Sequence, residues 1–361
     1  MTIVVKDIDE VQEAVRAGER LLPVAGGTKP ALSTPPAGTT GLDVSALRGL
    51  VQYDPAELTL TALAGTPVRE IHDALAPHGQ YLPFDPPWAA GGATLGGTVA
   101  AGVSGPSAFR HGGVRDFVLA VRFVDGMGRL VGGGAQVVKN AAGFDLPKLF
   151  VGSAGRLGVI VQLTVKVLPA PTATATVVVD HENLADALAT MARLARGPID
   201  IDALDLEPPG RLVIRLGGDP AILPTRTARL ISLADGERAT SVTGEDDARL
   251  WQAATDLEGW PDRDHLIRVP LTAHDVVALQ TCVQHHGALA RYSLGANVAW
   301  ISWPMKAELQ LLDDALHAQG LAGSLLRGPA GAPIHLGLVR GGSFATRIRS
   351  ALDPESRFAK A

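Results

Sequence analysis

The stretch Leu21-Leu22-Pro23-Val24-Ala25-Gly26-Gly27-Thr28-Lys29 decides how this chain is read. Leu21 to Ala25 is a short apolar run of the kind that forms a buried strand, and Gly26-Gly27 stops it. Glycines placed there let consecutive backbone N–H groups turn toward one anion, because no Cβ stands in the way. Thr28 adds a hydroxyl donor. Upstream, Asp7 or Asp9 can cap a helix whose apolar face is Val11, Ala14 and Val15, and Gly18 stands where a C-terminal cap belongs.

Two more glycine clusters follow. The second, Gly91-Gly92-Ala93-Thr94-Leu95-Gly96-Gly97-Thr98-Val99-Ala100-Ala101-Gly102-Val103-Ser104-Gly105, keeps small residues through a helix start, where a flat or elongated ligand could lie against the backbone. The third, Gly152-Ser153-Ala154-Gly155-Arg156-Leu157-Gly158, leads into a strand over Leu157 to Leu168. Val159, Val161, Leu163, Val165 and Val167 are expected on one face of that strand, with Gln162, Thr164 and Lys166 on the other. Any one cluster alone is compatible with a tight turn. No G-x-G-x-x-G opens a helix after a strand, and Lys29 lacks the P-loop frame, which disfavours a Rossmann domain or an NTPase.

Between the clusters, Leu58 to Leu63 is strand-like. Thr66-Pro67 opens a helix with Val68, Ile71 and Leu75 on one side. Residues 79 to 115 are rich in glycine and proline but poor in charge, as suits an ordered cofactor loop rather than a disordered linker. Val118 to Val124 and Leu130-Val131 flank Gly126-Met127-Gly128 as a hairpin.

Composition narrows the function further. The chain has 361 residues, 46% hydrophobic and 19% charged, enough for two or three domains with real cores. A net charge of -5 argues against a nucleic-acid partner. Met1 to Val11 shows no targeting pattern, and no apolar run approaches the roughly 18 residues of a membrane span. The expected location is the cytoplasm, with membrane contact only through partners. Cys282 is the single cysteine. An internal disulfide is thereby excluded, and so is an iron–sulfur cluster held by this chain, which typically needs about four thiolates. Electrons would need an organic cofactor here, and any cluster would sit on another polypeptide.

Pro169 and Pro171 mark the expected domain boundary. Beyond them, Val177 to Val179, helix 182–196, strands 199–206 and 211–216, helix 221–234 and strand 238–243 spell βαββαβ. Strand 264–269, helix 273–286, strands 288–294 and 297–303, helix 305–319 and strand 322–327 spell it again. Two ferredoxin-like units side by side imply a layered α+β domain with an antiparallel sheet. A final helix is expected at about 343–352.

Taken in order, the motifs resemble one family. Pro23 to Thr28 is similar to the P-x-G-G-G-T loop of the vanillyl-alcohol oxidase (PCMH-type) FAD-binding family. Leu82-Pro83-Phe84-Asp85-Pro86 with Thr94-Leu95-Gly96-Gly97 resembles its L-P-x-D-P and T-I-G-G elements. Arg110-His111-Gly112 resembles R-Y-G, and Gly143-Phe144-Asp145-Leu146 with Gly152 to Ile160 resembles the motif that closes the domain. Asp43-Val44, Val51 to Pro55, Val114 to Leu119 and Lys139 to Gly143 resemble in particular the FAD-binding small subunits of bacterial glycolate oxidases. The likeness covers roughly residues 1 to 170.

The resemblance implies an α+β fold: a PCMH-type FAD-binding domain of two α+β subdomains over 1–170, an α+β cap with an antiparallel sheet over 171–335, and a segment 336–361 packing back on the first domain. It also implies that Ala25, Gly26, Gly27, Thr28, Lys29, Thr94, Leu95, Gly96 and Gly97 hold the pyrophosphate of FAD. Pro86 belongs to the same loop system, and Ala100 to Gly105, with Ser104, would line the ribityl–flavin side. Gly158, Val159 and Ile160 would meet the pyrimidine edge of the flavin. Thr28 stands where covalent members carry a histidine, so dissociable FAD is expected.

Implied partners are a catalytic flavoprotein subunit, an iron–sulfur subunit and a small hydroxy-acid substrate. Oxidising a 2-hydroxy acid needs a base and a cation for the carboxylate. Arg110, His111, His285, His286 and His335 are candidates, but His285-His286 also suit a helix C-terminus, and His72 reads as a packed histidine. No G-E-H-G motif occurs, and the family's C-terminal F-N-P-G is replaced by Phe358-Ala359-Lys360-Ala361. Three functions stay open: an FAD subunit inactive alone in a glycolate oxidase complex, a self-sufficient FAD oxidoreductase of a small 2-hydroxy acid or alcohol, or a flavin-binding scaffold.

Overall fold

The computed structural model describes residues 1–134, 145–235, 238–329, 331–339 and 341–360. The expected motif elements Lys139 to Phe144, and Ala361 of the tail, lie outside the described residues.

β1 (Thr2–Val4), β2 (Leu21–Val24) and β3 (Thr40–Asp43) form a parallel sheet in the order β1-β3-β2. The helix Ile8–Arg16 covers it, capped by Asp7, whose side chain accepts the Glu10 N–H at 2.8 Å. Next come β4 (Leu50–Asp54), β5 (Thr59–Leu63), β6 (Gln80–Tyr81), β7 (Val118–Val124), β8 (Leu130–Gly134), β9 (Val159–Lys166) and β10 (Leu168–Pro169). Five of them build an antiparallel sheet ordered β4-β5-β9-β7-β8, while β6 pairs with β10. Helices Val68–Leu75 and Leu95–Ala101 pack on this second sheet; Pro67 sits at the N-cap of the first.

β9 departs from simple alternation. Arg122 pairs with Gln162 but Phe123 pairs with Ile160, so Val161 is bulged out of register. Val159 and Val161 therefore enter the core under the parallel sheet, and Ile160, Leu163 and Val165 enter the core of the antiparallel one. Thr164, expected on a wet face, is buried and bonds the Thr61 hydroxyl at 2.9 Å. One strand thus locks two subdomains together, which requires both of its faces to be covered.

β11 (Ala173–Asp180), β12 (Ala203–Glu207), β13 (Arg211–Gly218), β14 (Arg238–Thr243), β15 (His265–Pro270), β16 (Leu289–Ser293), β17 (Val298–Trp303), β18 (Ala322–Arg327) and β19 (His335–Gly337) form one sheet. Its order is β14-β11-β13-β12-β16-β17-β15-β18-β19, antiparallel throughout. Each βαββαβ unit is present, and the two meet where Leu206 of β12 pairs with Tyr292 of β16. The fold is α+β with structurally repeated antiparallel units. Helices Leu184–Ala195, Leu223–Ala234, Val276–His285 and Leu309–Ala318 cover one face through the largest core. Strand 199–206 begins only at Ala203, and the helix expected from 305 begins at Leu309.

Helix Gly244–Asp256 has no counterpart in the sequence reading. It is polar, and its buried Asp247 bonds Arg215 at 2.7 Å on the sheet face opposite the largest core. Its C-terminus clamps the cofactor-loop region: Trp88 Nε1 donates to the Asp256 carbonyl at 3.0 Å. Among the described residues no helix is long and apolar enough to cross a membrane.

The tail returns to the first sheet. Leu21 donates to Arg357 O at 2.7 Å, Ala359 donates to Leu21 O at 2.9 Å, and Phe358 is buried beside β2. Asp353 secures this turn, accepting the Arg357 and Phe358 N–H groups at 2.7 and 2.9 Å. Phe358→Ala is expected to cost about 3–5 kcal/mol of stability, as for a large buried side chain. Urea unfolding with an unchanged slope checks it; a loss under about 1 kcal/mol would mean the tail is not docked this way.

Candidate functional site

The first two glycine clusters meet backbone to backbone. A Cβ on Gly26 would overlap the carbonyl oxygen of Gly92, so only glycine fits there. Gly27 adopts φ +65° and has no atom within 4 Å of where its Cβ would stand. Past these residues opens a cleft with about 690 Å³ of atom-free space, partly open to solvent. Ala25, Gly26, Gly27, Thr28 and Lys29 line it, as do Thr94, Gly96, Gly97, Ala100, Gly158 and Ile160.

Hydrogen bonding separates these residues into two kinds. The N–H groups of Ala25, Gly26, Gly27 and Thr28 have no acceptor among the described residues. At the helix start the donors are already used: Leu95 N–H bonds Thr66 O at 3.0 Å, Gly96 N–H bonds Ala64 O at 2.8 Å, and Gly97 N–H bonds Thr94 Oγ1 at 3.2 Å. The first loop can donate to an anion. The helix start supplies closeness instead, since a Cβ on Gly96 would come within 2.7 Å of the Ala64 Cβ.

Lys29 completes the polar wall. It is buried, its Nζ donates to Thr28 Oγ1 at 3.0 Å and lies 5.1 Å from the Trp88 ring centroid, and among the described residues it has no carboxylate partner. Burial lowers its pKa to about 8. An ammonium so placed is costly unless an anion joins it.

The other expected residues lie off the cleft. Pro86 is buried, and the Leu95 and Val159 side chains are spent on the two cores. Ser104 Oγ accepts the Val114 N–H at 2.9 Å, and Gly105 donates to Phe84 O at 2.9 Å, so both brace the loop. Leu32, Ser33, Val44 and Ala64 line the cleft without having been singled out, and Ala101, Ala154 and Gly155 of the second and third glycine clusters line it too. Pro30, which starts the short helix Pro30–Ser33 directly after the glycine loop, was the available sign that Leu32 and Ser33 fold back over it.

The catalytic candidates do not converge. Arg110 pairs with Asp202 across to the nine-stranded sheet. His111 lies edge-on to Tyr81 at 6.5 Å, and the Tyr81 hydroxyl is pushed up to about 12 by burial, then by Asp85 and Asp202. His286 lies tilted against Trp303 of the helix-covered core, ring centroids 4.8 Å apart. His335 sits near Arg156, away from the cleft, and His72 is exposed. Among the described residues, no group of three or more His, Cys, Asp or Glu side chains could hold a metal.

The FAD binding domain family matches residues 1–133. The glycolate oxidase subunit GlcE of Escherichia coli (strain K12) is 41% identical over 197 residues, 55% of this chain and 56% of that one. The mitochondrial D-lactate dehydrogenase [cytochrome] 1 of Saccharomyces cerevisiae is 32% identical over 190 residues, 52% of this chain and 32% of that protein. Glycolate oxidase subunit GlcD of Bacillus subtilis is 30% identical over 166 residues, 46% and 35% of the two chains. The matched stretch thus spans about half of GlcE and about a third of the other two relatives. A structure of alkyldihydroxyacetonephosphate synthase superposes over 100% of this chain and 77% of that one, with TM-score 0.73 at 18% identity, a likeness of fold.

Residues 1–133 form an FAD-binding domain.

The cleft fits the cofactor. FAD brings a diphosphate, and the flavoprotein offers it unpaired N–H groups from Ala25 to Thr28 beside the unpaired Lys29 ammonium. Among the described residues no histidine lines the cleft. A diphosphate bound here would stabilise charged Lys29, raising its pKa above the free value of about 8. FAD binding would then take up a proton above that pH. Affinity should be flat below about pH 8 and fall by up to about tenfold per pH unit above it. Lys29→Met should bind weakly at pH 7 and lose this slope. Fluorescence titration at pH 7 to 9.5 reads both; an unchanged slope in the variant would remove Lys29 from the site.

Proposed function

We propose that this flavoprotein is the FAD-bearing subunit of a glycolate oxidase complex, acting with a catalytic flavoprotein subunit and an iron–sulfur subunit to oxidise glycolate to glyoxylate. The observation that carries the reading is the open cradle of Ala25 to Thr28 N–H groups beside Lys29, joined to the 41% identity with GlcE. The single cysteine agrees with clusters held by another chain.

In this reading residues 1–170 are the FAD domain, 171–335 the cap, and 336–361 a tail that steadies β2 and hence the glycine loop. FAD is held without a covalent bond, as Thr28 in the loop and the absence of histidine among the described residues of the cleft lining support. Ala25 to Lys29 hold the diphosphate, while Thr94, Gly96, Gly97 and Ala100 form a close-fitting wall. We place the flavin ring at the end of the cleft near Leu32 and Ala101, because those two residues pack with Leu266, Val298, Trp300 and Leu326 of the cap. The adenine then falls at the end lined by Val44, Ala64, Gly158 and Ile160, instead of the flavin's pyrimidine edge. Bound FAD supplies the two-electron acceptor. The Trp88 and Trp300 rings, 6.1 Å apart and edge to face, belong to the same apolar cluster as Leu32 and Ala101.

Nothing in the described cleft stands as a general base, since His111, His286 and His335 are engaged elsewhere. A missing base typically costs about 10²–10⁴-fold in rate. Mixed anaerobically with glycolate, the isolated FAD-loaded chain should therefore bleach slowly or not at all, and bleach rapidly once the partner subunits are added. Bleaching of the lone chain at a turnover-like rate of about 10 s⁻¹ would replace this reading with a self-sufficient oxidoreductase.

A further inference from the structure

The cap turns one face of its nine-stranded sheet toward the FAD domain. On that face Arg215 and Arg291 each have a carboxylate partner, and among the described residues Arg268 has none. Arg215 bonds Asp247 at 2.7 Å, and Arg291 bonds Asp205 at 2.8 Å and Glu207 at 2.6 Å. Arg268 of β15 sits directly across from Trp300 of β17, which in turn sits across from Arg291, so all three share this face. Its neighbours Ile267 and Val269 point the other way, into the helix-covered core.

Arg268 makes no ion pair and no side-chain hydrogen bond with any described residue, and its Nε is buried without a partner. Burial holds its pKa below the ordinary value, with no neighbouring carboxylate acting against that. A half-buried guanidinium with no counter-ion and an orphaned Nε is unfavourable, and it leaves donors free for an anion that arrives later. Its surroundings say where that group arrives. Trp300 packs against Trp88, over which Lys29 lies, and Leu266 and Trp300 share an apolar cluster with the cleft residues Leu32 and Ala101. The unpaired charge therefore lies where the cap meets the cofactor cleft.

We infer that Arg268 is the substrate-orienting residue of this chain, its guanidinium receiving the carboxylate of a small hydroxy acid between the cap sheet and the FAD domain. The inference rests on the flavoprotein–hydroxy acid reading above and adds the residue that would select an acid over a neutral alcohol. A planar guanidinium suits a carboxylate because two parallel N–H groups meet two oxygens. The binding need not include catalysis: the cation orients the acid, and the base can come from the partner.

The test uses the full FAD-loaded chain and oxalate, an unreactive dicarboxylate, followed by titration calorimetry. Wild type should bind it saturably. Arg268→Met should weaken binding by about 10- to 100-fold, the loss of a charge-assisted bond, while flavin content stays the same. Removing a half-buried charge that has no counter-ion should leave the melting temperature level or higher, which a structural role would not do. Arg268→Lys should fall between the two, and Arg268→Gln repeats the neutral arm if Met disturbs folding. Equal oxalate affinity in wild type and the neutral variants would overturn the inference, as would absence of binding by flavin-replete wild type. A drop of several degrees in melting temperature with binding retained would also overturn it. Wild type purified without flavin would instead sink the underlying flavoprotein reading.

Discussion

Gly26 rests on the carbonyl of Gly92, and most of the site follows from that contact. It joins the loop leaving the parallel sheet to the loop entering the helix Leu95–Ala101 of the other subdomain. Two backbones can approach so closely only where one residue has no Cβ. The second loop satisfies itself, with Gly92 and Ala93 donating to Ala89 and Trp88 carbonyls. The first loop, held in place but offered no acceptor among the described residues, leaves its N–H groups open. A diphosphate arriving at a loop held this way would find donors already aimed, so little ordering entropy would oppose binding.

Three features hold that loop steady. The bulged β9 ties the two sheets into one unit by feeding side chains to both cores. The tail adds a short parallel bridge from Phe358 to Leu21, at the start of the strand that ends in the loop. From the cap, Asp256 grips Trp88, whose φ of +62° is strained for a non-glycine residue and is maintained by those bonds. Cofactor loop, cap and tail are thereby coupled, although each is assembled from a different stretch of the chain.

Much of this was legible in the residues themselves. Glycines at 26–27 and 96–97 named the cleft because their chemistry is local: missing Cβ atoms and a cap hydroxyl at Thr94. Alternating strands and helices after Pro171 revealed both βαββαβ units, because helical and strand periods differ plainly there. What was not legible depended on distant partners. Whether Leu95 and Gly96 could donate to phosphate was decided by the carbonyls of Thr66 and Ala64. The polar helix Gly244–Asp256 escaped notice because its buried Asp247 looks like a surface residue until Arg215 is beside it. Arg268 was equally ordinary in sequence. Its lack of a partner appears only when Arg215 and Arg291 on the same sheet face are seen to have theirs.

Amide hydrogen exchange with and without FAD tests the central claim most directly, because it reads individual donors. If the first loop alone receives the diphosphate, adding FAD should slow exchange strongly at Ala25, Gly26, Gly27 and Thr28. Leu95, Gly96 and Gly97, already bonded within the protein, should change little. Protection concentrated at 95–97 with residues 25–28 unaffected would contradict the account.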